Sequence, residues 1–484
     1  MAKSRALTWA AAVVRRLSTA ADSCLSPTGA AALPVPGLVK PLYRRLSALG
    51  GAPEGSVART MDEWLKEGKR VRPIEVMKYV KELRKYKRFG QALELMEWMD
   101  KNGIRMTYSN HAIRVDLLLK TKGMDSAEGY FSSLPESAKN HLTYGALLNC
   151  YCTEKMAEKA SALYEKMKLL NYDSTTLVYN NLMSLYLKLQ QPEKIPPLME
   201  EMKAKSISPD TFTYCLLMNS YALLKDINSV ERVVSEMEDE RGTEMIPWPV
   251  YSNLASICIS AGLIEKAQSA LKMLEATIDM RDRTSFHFLV SLYTRMGNLT
   301  EVNRLWKTMK GIFPKIANLS YLVVLQALDR LDDVDSINQC YKEWESLCLH
   351  HDIRLTNVVI GAYLRKNMIE EAVSLWEAAM QKGSESNFRT FEMFIDYYLK
   401  NLKVELALKC VYAAASKVKK EEWKLDKEKV NAFLKHFEGQ MDVDGAEAFY
   451  QTLKKLNCLD SEIYNWYLQM QMASRKEDRS LRAP

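Results

Sequence analysis

Small or β-branched residues recur along this chain at Ala92, Ala127, Ala160, Ile195, Val230, Ala267, Val302, Ile337, Ala372, Ala407 and Ala446, with successive spacings of 35, 33, 35, 35, 37, 35, 35, 35, 35 and 39 residues. Sixteen residues before many of these sites stands an aromatic: Tyr144, Tyr179, Tyr214, Tyr251, Phe286, Tyr321 or Phe391. Seven residues after them a methionine is frequent, as at Met99, Met167, Met202, Met237 and Met309. A period of this length marks a repeat array. Each unit is one supersecondary element that cannot bury its own apolar face, so it must stack on its neighbours.

The stretch Thr176 to Asp210 shows what one unit contains. Tyr179, Leu182, Met183 and Tyr186 recur at helical spacing and give one apolar face. A break is expected at Gln190–Pro192, followed by a second apolar face from Ile195, Leu198, Met199 and Met202. Pro196 and Pro197 fall in the first turns of that second helix, where a missing N–H costs least. Ser208-Pro209-Asp210 closes the unit, because proline cannot continue a helix and aspartate suits a turn or cap. Two helices per unit, with a small residue where they approach, predict an all-α fold.

Composition agrees and removes other classes. With 47% hydrophobic residues the chain can bury a large core, while 19 glycines and 15 prolines in 484 residues are too few for collagen or a turn-rich β architecture. No apolar run reaches the roughly 18 residues needed to span a bilayer. Nine scattered cysteines are an odd set and no disulfide framework, which fits a reducing compartment. The net charge of +7 is concentrated at the start, since residues 1–53 hold seven basic groups against the single acid Asp22. That segment is rich in Ser, Thr and Ala, and it has the composition of an organelle transit peptide. Arg15-Arg16-Leu17-Ser18 resembles a mitochondrial cleavage region, with the chloroplast as the alternative. The expected division is transit peptide and linker over 1–55, a capping helix over 56–72, the array over 73–460, and a cap helix and tail over 461–484.

Stretches such as Val178-Tyr179-Asn180-Asn181-Leu182-Met183, Leu198-Met199-Glu200-Glu201-Met202-Lys203, Ile207-Ser208-Pro209-Asp210 and Gly262-Leu263-Ile264-Glu265-Lys266-Ala267 resemble the pentatricopeptide repeat family. The near-uniform unit length is similar to its pure-repeat class, of plant organellar type. The resemblance implies a right-handed α-solenoid of about 11 helix–turn–helix repeats of ~35 residues. In the frame beginning at Pro73 the units are 73–107, 108–140, 141–175, 176–210, 211–247, 248–282, 283–317, 318–352, 353–387, 388–426 and 427–460. The resemblance further implies single-stranded RNA as ligand, about one base per unit, read by the fifth and last residues. It assigns Asn180 with Asp210 and Asn431 with Asp460 to uracil, Asn357 with Asn387 to a pyrimidine, and Ser252 with Asp282 to a purine. Leu177 and Phe212 would sandwich the base read by Asn180. Met77, Ala112, Gly145, Cys215, His287, Leu322 and Glu392 occupy the fifth position elsewhere and do not fit that pattern.

Charge placement offers a second signal. The thirteenth residue is basic in seven units: Lys85, Lys120, Lys188, Arg295, Arg330, Arg365 and Lys400. Such a ridge can track phosphates, giving a salt slope of about −5 if all seven take part; equally, cations at a helix C-terminus complement its dipole. A denser basic cluster fills residues 66–88. No catalytic or metal constellation stands out: Cys150 and Cys152 point apart on one helix, no Cys-x-x-Cys spacing occurs, and His350-His351-Asp352 lies at a unit end. The expectation is a non-enzymatic organellar RNA-binding protein without cofactor or membrane, acting by occupancy in processing, stability or translation. The alternatives are a structural or assembly component of the mitochondrial ribosome, or a protein–protein scaffold without RNA; the mitochondrial ribosome and other RNA-processing proteins are the candidate partners besides RNA.

Overall fold

The computed structural model describes residues 42–49, 52–241, 246–279, 281–348, 351–382, 387–417 and 423–480. The expected transit peptide lies outside them. The described residues form 25 α-helices with two short 3-10 turns and no strand. None of these helices is long and apolar enough to cross a membrane. The chain divides into two compact units, residues 1–278 and 279–484.

The first unit opens with helices Leu42–Ala48 and Ser56–Lys66. The former falls where a linker was expected. It is helical because Leu42 and Leu46 lie one turn apart and are both buried. Six hairpins follow: Pro73–Lys85 with Phe89–Lys101, Tyr108–Lys122 with Met124–Ser133, His141–Thr153 with Ala157–Leu169, Thr176–Lys188 with Ile195–Ala204, Thr211–Leu223 with Ile227–Arg241, and Trp248–Ser260 with Ile264–Thr277. The second unit holds five more, beginning at Arg283–Arg295, Asn318–Arg330, Ile353–Arg365, Phe388–Lys400 and Lys427–Gln440, and ends with helix Ser461–Ser480. Every first helix starts within a residue or two of the boundary that the spacing predicts. Within each unit, first helices pack on their own second helix, and from Tyr108–Lys122 to Trp248–Ser260 and from Arg283–Arg295 to Phe388–Lys400 they also pack on the first helices of adjoining repeats.

All eleven recurring small or β-branched residues, Ala92 through Ala446, are completely buried. They sit in the first turn of the second helix, where it crosses the first, and a larger side chain there would overpack the crossing. The recurring aromatics and methionines are buried too, filling the space between successive hairpins. Ion pairs join the second helices of adjacent repeats, as in Lys159–Glu128 at 2.6 Å, Lys266–Glu231 at 2.8 Å, Lys310–Glu343 at 2.8 Å and Lys382–Glu345 at 2.6 Å. Being exposed, each contributes under about 1 kcal/mol and serves mainly to hold register.

One periodic feature is invisible to composition. The fifteenth residue of ten repeats has a left-handed backbone: Lys87, Lys155, Gln190, Lys225, Gly262, Gly297, Asp332, Asn367, Leu402 and Met441, with φ between 52° and 76°. It closes the first helix by letting the next N–H reach back five residues, as from Gln191 to the Tyr186 carbonyl at 2.9 Å and from Lys403 to Tyr398 at 2.8 Å. Only two of these positions are glycine, so the chain tolerates strain of the left-handed region at the other eight.

Candidate nucleic-acid interface

The fifth residue of each repeat lies on the first helix one turn beyond the second residue, so the two share a face. The last residue precedes the next first helix and stands at its N-cap. In two repeats the structure brings these predicted partners together. Asn180 Nδ2 donates to Asp210 Oδ1 at 3.2 Å, and Asn357 Nδ2 donates to Asn387 Oδ1 at 3.1 Å. Asp210 accepts from the Thr213 N–H at 2.7 Å and Asn387 from the Thr390 N–H at 3.1 Å, so each also caps the following helix. Capping and pairing are thus the same geometry, and the two readings of these residues are compatible. Asn180 and Asn357 are 4% and 8% exposed, held at the edge of the core by these bonds.

A third participant was absent from the sequence reading. The Thr213 hydroxyl donates to Asn180 Oδ1 at 2.8 Å and the Thr390 hydroxyl to Asn357 Oδ1 at 2.8 Å. Both threonines are fully buried at the third position of the next repeat. His287 occupies a fifth position that fits no familiar pattern, yet its Nε2 lies 2.9 Å from the Ser320 hydroxyl, again the third residue of the next repeat. The signal was available as Thr, Thr and Ser three places after a unit boundary, but without coordinates it reads only as a capping residue.

The other assignments differ. Asn431 is exposed, and Asp460 accepts from the Ile463 N–H at 2.9 Å; no hydrogen bond joins the two. Their third-position neighbour is Ile463, which has no hydroxyl. Ser252 is 1% exposed with a hydroxyl that finds no partner, and it belongs to the first compact unit, whereas Asp282 belongs to the second. Asp282 caps its own helix through the Thr284 N–H at 2.8 Å.

Second-position residues line the same face. Leu177 is 61% exposed and Phe212 half-buried beside the Asn180–Asp210 pair. Exposed Ile74, Leu142 and Leu319 repeat the feature elsewhere. Around the Asn357–Asn387 pair the second-position residues are Arg354 and Arg389, whose guanidinium planes are oriented by Asp352 at 2.6 Å and Glu392 at 3.5 Å. Flat guanidinium groups stack on bases as aromatic or aliphatic groups do.

The thirteenth-position cations divide. Lys120 pairs with Asp116 at 2.8 Å, Arg365 pairs with Asp329, and Lys188 donates to the Cys152 carbonyl of the preceding repeat at 2.9 Å. These three are engaged within the protein. Lys85, Arg330 and Lys400 are exposed. Burial, and after it the neighbouring Arg330, lower the pKa of the Arg295 guanidinium. In the 66–88 cluster, Glu67 is held down to about 2 by Arg45 and Lys69, Arg84 pairs with Asp116 at 2.8 Å, and Arg88 bonds the Ser47 carbonyl. Part of that cluster therefore fastens the N-terminal helices.

Stacked two-helix repeats that present a polar pair and a flanking flat or apolar side chain define a modular helical-repeat protein with a periodic recognition face. The pattern described as the PPR repeat family matches residues 174–223, and that of the PPR repeat matches 142–172, 212–241 and 355–384. The chain is 42% identical to the mitochondrial pentatricopeptide repeat-containing protein At4g01990 of Arabidopsis thaliana, over 96% of this chain and 92% of that one. It is 46% identical to the large ribosomal subunit protein mL101 (rPPR4) of the same plant, over 92% of this chain and 90% of that one. Among solved structures it is similar to the pentatricopeptide repeat protein PPR10 in complex with an 18-nt psaJ RNA element, at 15% identity and a TM-score of 0.48, covering 88% of this chain and 61% of that one. The chain belongs to the pentatricopeptide repeat family.

Proposed function

We propose that this protein binds single-stranded RNA in the mitochondrion and acts by occupying it, without catalysing a reaction. The observation that carries the reading is the pair of preassembled polar sites, Asn180–Asp210 and Asn357–Asn387, at the same two positions of two different repeats. Their free atoms differ in a useful way. Asp210 Oδ1 carries the capping bond, which leaves Oδ2 as an acceptor beside the second hydrogen of Asn180 Nδ2. A donor next to an acceptor complements uracil, whose N3–H lies beside carbonyl oxygens. Asn387 Oδ1 carries the equivalent bonds, which leaves its amide nitrogen as a second donor. Two donors complement cytosine, which offers N3 and O2 as adjacent acceptors. Leu177 and Phe212 stack on the first base, and Arg354 and Arg389 on the second, each contact contributing about 1–3 kcal/mol. The exposed Lys85, Arg330 and Lys400 contact phosphates. Asn431 with Asp460 contributes less, since no hydrogen bond joins that pair in advance.

A second reading, a place in the mitochondrial ribosome, is favoured by the 46% identity to the mL101 ribosomal protein. Crosslinking of RNA to the protein in isolated mitochondria, followed by sequencing, decides between them. A discrete site in a transcript supports the first reading and a ribosomal RNA footprint the second. Absence of any crosslinked RNA refutes both and leaves a protein scaffold.

A further inference from the structure

We infer that the hydroxyl at the third position of the following repeat is a specificity-determining group: Thr213 and Thr390 lock the amide orientation of Asn180 and Asn357, so that each presents N–H and withholds C=O. This rests on the base-reading function proposed above.

An asparagine amide is nearly symmetric in shape, and its O and N exchange places at little steric cost. Which end faces the ligand is decided by hydrogen bonds alone. At the Asn357 site the partner Asn387 is itself an amide, so the pair by itself has no preferred arrangement. Thr390 supplies one. Its backbone N–H donates to Asn387 Oδ1 at 3.1 Å, which fixes that amide. Its hydroxyl donates to Asn357 Oδ1 at 2.8 Å, nearer than its 3.1 Å approach to Asn387 Oδ1. One threonine therefore orients both amides. At the Asn180 site the Thr213 hydroxyl accepts from the Asp210 N–H at 3.2 Å and lies 2.8 Å from both Asn180 Oδ1 and Asp210 Oδ1. Asp210 Oδ1 already accepts from the Thr213 N–H at 2.7 Å and from Asn180 Nδ2 at 3.2 Å, which leaves the hydroxyl proton to Asn180 Oδ1.

The repeat lacking this device behaves as the inference requires. Where Ile463 stands at the third position, Asn431 is exposed and unjoined to Asp460. The capping bond to Asp210 or Asn387 comes from the threonine backbone and survives any side chain; at the first site the Thr213 hydroxyl also closes a capping box by accepting the Asp210 N–H. Thr→Val removes the hydroxyl at constant shape.

The test uses the full chain and a fully randomised pool of single-stranded RNA, recovered by binding and sequenced. For the wild type, one recovered position is uracil and another cytosine. Thr213→Val reduces discrimination at the uracil position about three- to tenfold, the contribution of one hydrogen bond. It leaves the cytosine position untouched; Thr390→Val does the reverse, so each variant is the folding control for the other. Thr213→Ser retains the hydroxyl and the preference. Unchanged discrimination in both valine variants overturns the inference while leaving the base-reading function standing. A wild type with no preference at either position overturns both, and a valine variant that weakens all positions equally shows a merely structural threonine and also overturns it.

Discussion

Replacing Asp210 by asparagine is the sharpest probe of how the recognition face works, because the structure separates its two jobs. Asp210 Oδ1 accepts from the Thr213 N–H at 2.7 Å and from Asn180 Nδ2 at 3.2 Å. An asparagine Oδ1 makes both, and asparagine is as good an N-cap as aspartate. The stability of Asp210→Asn should therefore stay within about 0.5 kcal/mol of wild type by chemical denaturation. What changes is the other atom. Oδ2 makes only a 3.4 Å contact with Asn180 Nδ2, and in the variant an N–H replaces it. The existing Asn357–Asn387 pair shows that the fold accommodates two amides in this arrangement. A correctly matched donor–acceptor pair is worth about 1–3 kcal/mol of base discrimination, so the ratio of affinities for uracil and cytosine at that one position should fall by about 5- to 150-fold. Fluorescence anisotropy with two RNAs that differ only at this base measures the ratio directly. A folded Asp210→Asn protein with an unaltered ratio would refute the reasoning, and with it the role of Asp210 in reading.

The remaining predictions concern charge, backbone and pH. Three of the seven thirteenth-position cations are engaged internally, so the three exposed ones, Lys85, Arg330 and Lys400, should give a slope of log affinity against log salt of about −2, and not −5; a titration from low to moderate salt reads it. Leu402 is 87% exposed with φ 57°, so Leu402→Gly should relieve backbone strain and raise stability by about 0.5–1 kcal/mol, measured as an increased melting temperature. Burial, and after it Arg114, hold the His111 imidazole below its ordinary 6.5, while its Nδ1 lies 2.7 Å from the Tyr130 hydroxyl. The unfolded chain then binds the extra proton first, so this stability is fully present above pH 6.5 and is lost as the pH falls toward the lower folded value. His111→Gln should flatten that part of the pH dependence of unfolding, and an NMR titration of His111 should give a midpoint below 6.5.

Much of this molecule was legible in the order of its residues. The recurrence of Ala92 through Ala446 placed every hairpin, because a helix crossing admits only small or well-shaped side chains and so punishes drift in the period. Resemblance in the first helices supplied the candidate positions. What could not be read was which candidates are assembled. Asn180 with Asp210 and Asn431 with Asp460 are identical as letters, yet one pair is bonded and the other is not, since the outcome depends on whether Thr213 or Ile463 comes to rest between them. The charges were ambiguous for the same reason: Lys120 and Arg330 occupy the same place in the repeat, but only Lys120 meets a carboxylate, at Asp116. The left-handed turns escaped notice because Lys, Gln, Asp, Asn, Leu and Met adopt them here in place of glycine. Periodicity records what is common to every repeat, and burying an apolar face is common to all of them. Hydrogen bonds and ion pairs demand contact within about 3 Å between particular atoms of successive repeats. That registration exists only once the hairpins have stacked, so the tertiary structure alone decided which candidate positions of this pentatricopeptide repeat protein are joined by hydrogen bonds.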